Sequence, residues 1–163
     1  MANRFHWILE GKVAGMELPG SIDPLIDDLM FLMKQDIDTI VTLTEEPHPR
    51  DSHLARRFTW IHFPIDDFSI PNVADAYELI RQVHARVTAG HRAVFHCYAG
   101  IGRTGTMLAC YMVFSTGQAA SGVIPWLRTI DRAYIQTPGQ EDFVKEFEHY
   151  HRVVLTGEPG SET

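Results

Sequence analysis

His96-Cys97-Tyr98-Ala99-Gly100-Ile101-Gly102-Arg103-Thr104-Gly105 joins a thiol, an arginine six positions later and a glycine-rich turn. The β-type run Ala93-Val94-Phe95 leads into it, and a helix-forming stretch from Thr104 to Phe114 leads out. This order predicts a loop seated at a helix N-terminus, where unpaired backbone N–H groups and the positive end of the helix dipole favour an anion.

Each residue type has a physical reason to be there. Only a thiolate attacks, so a nucleophilic Cys97 needs surroundings that favour its ionised form, and the loop amides and helix terminus supply them. Gly100, Gly102 and Gly105 allow left-handed or closely approaching backbone, so that the amides of residues 98 to 103 (Tyr98, Ala99, Gly100, Ile101, Gly102 and Arg103) can curl round one anion. Arg103 offers a planar fork of donors matched to two phosphoryl oxygens. The Thr104 hydroxyl falls beside the thiol and can hydrogen-bond the sulfur when sulfur must leave. His96 adjoins the nucleophile and can donate to backbone or sulfur, or pack beneath the loop. A glycine-rich turn can also carry a buried cysteine as a small apolar residue. The complete string, with His before Cys and Thr-Gly after Arg, is far more specific than a lone Cys and Arg at this spacing.

The string resembles the signature loop of the cysteine-based protein tyrosine and dual-specificity phosphatases, and the small size resembles the atypical dual-specificity members. The resemblance implies a phosphocysteine intermediate, with Cys97 as nucleophile, Arg103 as phosphate clamp and a separate aspartic acid as general acid. In the family that acid lies in a Trp-Pro-Asp-Phe-x-x-Pro pattern on a mobile loop. Asp67-Phe68-Ser69-Ile70-Pro71 matches its second half, with Ile65-Asp66 standing where the pattern has Trp-Pro. Asp67 is thus the expected acid and Asp66 its competitor; an ordinary solvated turn is the plainer account of the segment. Downstream, Tyr134-Ile135-Gln136-Thr137-Pro138-Gly139-Gln140 resembles the family's glutamine loop, which implies that Gln136, with Gln140 as second candidate, orients the hydrolytic water. The same stretch reads as a helix start, with Thr137 as N-cap and Pro138 in the first helical position. No metal or cofactor is required by this chemistry.

With 163 residues, 45% hydrophobic and 21% charged, the chain fits one globular domain over residues 1–155, followed by a flexible tail at 156–163. It shows no signal peptide and no apolar run long enough for a membrane span, so a cytoplasmic monomer is expected. A net charge of −7 argues against nucleic-acid or anionic-membrane partners. Two cysteines thirteen residues apart show no zinc or disulfide spacing. Cys110, in an apolar run, is expected in the core, with a redox partnership to Cys97 as the lesser reading. The nine histidines are scattered and read mainly as surface or supporting residues.

Alternating patterns predict an α/β fold, a central and mainly parallel sheet with helices on both faces. Expected strands are Phe5 to Leu9 and Lys12 to Met16 at the edge, Thr39 to Leu43, Phe58 to Phe63, and a central Ala93 to His96. Expected helices start at the Asp23-Pro24 cap and run to Lys34, then cover Val73 to Val87, the stretch after Arg103, Ser121 to Asp131 and Gly139 to Val153. Pro125 is tolerable in the fourth of these only within its first turn. The expected partner is a phosphorylated protein or peptide carrying phosphotyrosine or phosphoserine/threonine; the glutamine loop points to phosphotyrosine, whereas the short chain does not include the extra recognition segment that larger tyrosine-specific members carry. Phosphoinositide or RNA-end phosphatases share the chemistry, but Tyr98 and Ile101 stand where lipid-directed relatives often place lysines. A non-catalytic phosphate-binding module usually lacks the Cys, the Arg or the acid, and this chain has all three.

Overall fold

The computed structural model describes residues 3–50 and 52–157. Five strands form one sheet: β1 (His6–Leu9), β2 (Val13–Met16), β3 (Thr39–Thr42), β4 (Thr59–His62) and β5 (Ala93–His96), in the order β1-β2-β5-β3-β4. Only the β1–β2 pair is antiparallel; β2–β5, β5–β3 and β3–β4 are parallel. The strand that delivers Cys97 is therefore the central one, buried at every position from Ala93 to His96. β2 differs from expectation. It lies inside the sheet rather than at its edge, with all four residues buried, because β1 takes the outer position.

Alternation along the strands divides the core. Ala14, Met16, Ile40 and Val94 face one side, where they meet Leu29 and Leu32 of α1 (Leu25–Lys34) together with Phe58. Val13, Val41 and Phe95 face the other side, covered by α2 (Val73–Thr88), α3 (Gly102–Thr116), α4 (Ala120–Ile130) and α5 (Pro138–Thr156). Both faces are thus closed, as hydrophobic parallel strands require.

The helices follow their sequence signals with two corrections. α1 begins one residue later than the Asp23-Pro24 signal suggests: Pro24 is itself the N-cap, with ψ of 141°, and no side chain caps the helix. Pro125 sits in the second turn of α4, not the first. Its missing N–H would have bonded the carbonyl of Ser121, and both residues are exposed, so water can satisfy the freed oxygen. α3 is the most buried helix, with every residue from Gly102 to Val113 inside and left-handed Gly117 ending it. Cys110 is fully buried there, and burial pushes its thiol well above the ordinary value. His48 and His151 are buried as supporting residues, and His96 is buried beneath the loop. Of the expected tail, residues 158–163 lie outside the described residues.

Candidate active site

β5 ends at His96, and the chain turns through Cys97 to Ile101 before α3 starts at Gly102. This is the carboxyl end of a central parallel strand, where open α/β sheets place their ligands. Cys97 is only 3% exposed, and Thr104, in the first turn of α3, donates its hydroxyl to the Cys97 Sγ at 3.1 Å. Two glycines are dictated by their neighbours. Gly100 has φ +75°, and a Cβ there would lie 2.6 Å from the backbone of Met16 and Glu17. The loop is laid against the exit of β2, an approach also fixed by Leu18 N–H donating to Tyr98 O at 2.9 Å. At Gly102 a Cβ would overlap Gln136 Oε1, so only glycine lets that amide reach the first turn of α3.

His96 does not touch the sulfur. Its Nδ1 lies 3.0 Å from the Cys97 carbonyl, which can only accept, so this nitrogen carries the proton. Nε2 then accepts from the Thr42 hydroxyl at 2.8 Å. Burial drives the His96 pKa down to about 3, and the ring is a neutral strut that fixes the carbonyl of Cys97.

Arg103 is 4% exposed and its guanidinium gathers the loops that follow β3 and β4. Nη1 donates to Glu45 Oε1 and, at 2.9 Å, to Ile65 O; Nη2 lies 3.4 Å from Asp67 Oδ1. Nε is buried and has no hydrogen-bond partner. A buried cation with a free Nε donor favours an anionic partner, because unsatisfied buried donors are costly. The carboxylates that offset its charge are half exposed: Glu45 at 52% and Asp67 at 54%. Asp67, and not Asp66, lines the cleft of about 340 Å³ in front of Arg103, together with Thr44, Glu45, Glu46, His48 and Tyr98. Its loop runs between Ile65 and Asn72, the N-cap of α2. Ile65 is buried and its N–H donates to Leu43 O at 3.1 Å, whereas residues 66 to 70 are exposed and Phe68 takes a left-handed φ of +59°.

The segment bearing Gln136 is held more tightly. Ile135 is a β-branched residue at φ +64°, a strain of about 1–3 kcal/mol that neighbours must offset. Its N–H donates to Ile101 O at 3.0 Å, which ties it to the loop after β5. From α4, Arg128 donates through Nε to Tyr134 O at 3.0 Å and through Nη2 to Ile135 O at 2.8 Å, and pairs with Glu141 at 2.7 Å. Gln140 completes a capping box: Thr137 Oγ1 accepts from its N–H at 3.1 Å, and its Oε1 accepts from the N–H groups of Gln136 at 2.8 Å and Thr137 at 3.1 Å. Gln140 is fully buried and its oxygen is consumed by the cap, whereas Gln136 is exposed with its amide against Gly102.

The structure thus sets Asp67 and Arg103 on one cleft, Thr104 on the Cys97 sulfur, and the Gln136 amide against Gly102 at the start of α3. Sequence reasoning missed Glu45, Thr42 and Arg128. Glu45 carried a usable signal, since it follows a buried parallel strand directly and such loops face the same end of the sheet. Among the described residues no group of three His, Cys, Asp or Glu side chains is placed to hold a metal ion, and no helix is long and apolar enough to cross a membrane.

The chain is similar to known proteins. Residues 14–118 match the family model described as "Polymorphic toxin system, DSP-PTPase phosphatase". The mouse "Protein tyrosine phosphatase domain-containing protein 1" is 34% identical over 89 residues, which are 55% of this chain and 12% of that protein. The chain therefore spans about an eighth of that relative's length. "Phosphatidylglycerophosphate phosphatase PTPMT2" of Arabidopsis thaliana is 24% identical over 151 residues, covering 90% of this chain and 65% of the relative. The crystal structure of Tk-PTP in its active form superposes with a TM-score of 0.79 and 28% identity, over 91% of this chain and 99% of that one. With a family model spanning the sheet from β2 through α3, the chain belongs to the DSP-PTPase phosphatases, a family of cysteine-based phosphatases.

Proposed function

We propose that this chain hydrolyses phosphate monoesters on proteins, phosphotyrosine foremost, through a phosphocysteine at Cys97. The observation that carries the proposal is the pairing of a thiol held by Thr104 with a buried arginine whose Nε has no partner, both at the N-terminus of α3. In the first step the Cys97 thiolate attacks phosphorus and the P–O ester bond breaks. Its electron pair leaves on the ester oxygen, which Asp67 protonates. Arg103 and the amides of residues 98 to 103 hold the equatorial oxygens as charge spreads over them. In the second step a water oriented by Gln136 attacks phosphorus and gives its proton to Asp67. The P–S bond breaks, and the pair returns to a sulfur stabilised by the Thr104 hydroxyl.

Arg103 is the one basic side chain among the lysines and arginines of the described residues lining the cleft, against Glu45, Glu46 and Asp67. That balance suits a single phosphate on a neutral or cationic carrier. A lipid-borne monoester is the second reading, favoured by the likeness to a relative named for phosphatidylglycerophosphate. Activity towards 4-nitrophenyl phosphate, phosphotyrosine and phosphoserine peptides, and phosphatidylglycerophosphate in micelles separates the two. The proposal expects the tyrosine peptides to give the highest kcat/KM; a preference for the lipid overturns it in favour of the second reading.

A further inference from the structure

We infer that Arg128 is a positioning residue for the second chemical step: it holds the strained Ile135 in place and so sets Gln136 against the loop that carries the phosphocysteine. The inference rests on the proposed mechanism and extends it to a residue outside the cleft.

A β-branched residue adopts a left-handed φ only where the surroundings enforce it. At Ile135 the enforcement comes from two directions. Its N–H is bound to Ile101 O, on the loop between Cys97 and Arg103, and its carbonyl is bound by Arg128. The same guanidinium holds the preceding carbonyl, Tyr134 O, and is itself oriented by Glu141 in the first turn of α5. Arg128 thus clamps two successive carbonyls with the planar fork that lysine lacks. Without the clamp, Ile135 can relax towards negative φ, and the residue that moves with it is Gln136. Its amide now lies against Gly102, at the start of the helix that carries Arg103 and Thr104.

The two steps depend on this placement differently. Formation of the phosphocysteine uses Cys97, Arg103 and Asp67, none of which touches Arg128 in the structure. Its hydrolysis needs a water aligned on the P–S axis. Misplacing that water slows the second step alone, and lets an added alcohol take the phosphoryl group: the alcohol oxygen attacks phosphorus, the P–S bond breaks with its pair returning to sulfur, Asp67 takes the alcohol proton, and a new monoester leaves.

The test is the fate of the phosphoryl group in full-length Arg128→Met and Arg128→Lys proteins, with 4-nitrophenyl phosphate as substrate and glycerol as acceptor. Expected is a pre-steady-state burst of nitrophenol, a hydrolytic step slowed about tenfold or more, and a matching rise in glycerol phosphate, with burst rate near wild type. Lysine should restore less than the charge alone would suggest. Should Arg128→Met not fold, Arg128→Lys and Glu141→Gln carry the same measurement. A wild-type partition between water and glycerol, or equal slowing of both steps, overturns the inference. Gln136→Ala is the control that separates this from the mechanism itself: if it also leaves the partition unchanged, the role given to Gln136 fails, and if no phosphoenzyme forms in the wild type, the proposed chemistry fails.

Discussion

The loop after β5 and the loop after β4 meet at one guanidinium, yet they are built in opposite ways. In the loop after β5, Cys97, Gly100 and Gly102 are buried while Tyr98 and Ala99 are exposed; the loop is strutted by neutral His96 and crossed by the Ile135–Ile101 bond, and Gly100 has no room for a Cβ. Residues 66 to 70 are exposed and held between buried Ile65 and the Asn72 cap of α2, with Asp67 Oδ1 3.4 Å from Arg103 Nη2. Under the proposed mechanism the difference is a division of labour. An oxyanion cradle gains from donors that need no reorganisation when charge develops, so it is over-determined. A proton donor must reach leaving groups of different shapes, and a loop with few buried contacts opens at small cost.

The comparison can be broken from either side. Cys97→Ser should remove turnover by about 10⁴-fold or more while leaving vanadate binding measurable by calorimetry, because the cradle stays intact. Substantial activity in that variant would contradict the mechanism. On the exposed side, Asp67→Ala should slow aryl phosphates with poor leaving groups by about 10²–10³-fold and barely affect activated ones. Its melting temperature should hardly change. If Asp66→Ala shows that leaving-group dependence instead, the acid has been assigned to the wrong neighbour.

Stability probes sharpen the contrast further. Gly100→Ala should cost about 2–4 kcal/mol in urea unfolding, from a left-handed φ combined with a clash against the backbone of β2. A neutral result would show that the cradle yields. His96 is neutral when folded, with a pKa near 3, but titrates near its ordinary value when unfolded. Between these two values the unfolded chain binds the extra proton, so stability falls as pH drops from about 6.5 towards 3, by up to about 1.4 kcal/mol per unit. His96→Asn should flatten that part of the profile relative to wild type; an unchanged slope would mean that another group governs it. Phe68→Gly, in the exposed loop, should shift stability by less than about 1 kcal/mol, since it exchanges strain for chain entropy.

Much of this was legible in the sequence. Strand and helix periodicities placed every strand and α-helix to within a few residues but not the short 3-10 turn Ala55–Arg57, and Thr137-Pro138 announced the cap that fixes α5. The loop from Cys97 to Thr104 was legible because its chemistry is local: thiol, glycines, arginine and hydroxyl follow one another along the chain. Glu45 and Arg128 were not, since what they do depends on contacts that only folding creates, in Glu45's case with a partner 58 residues away. The strain at Ile135 was hidden for a related reason, because nothing in a β-branched residue signals a left-handed turn. Pro125 misled because a local rule about helix interiors ignores which face the lost bond occupies.

The central claim is that phosphorus passes through Cys97, and rapid acid quench during turnover tests it most directly. Peptide mapping by mass spectrometry should find one phosphoryl group per chain on Cys97, absent in Cys97→Ser and longer-lived in Gln136→Ala. A wild-type enzyme that turns over without any phosphoenzyme, or that carries phosphate on another residue, would contradict the account.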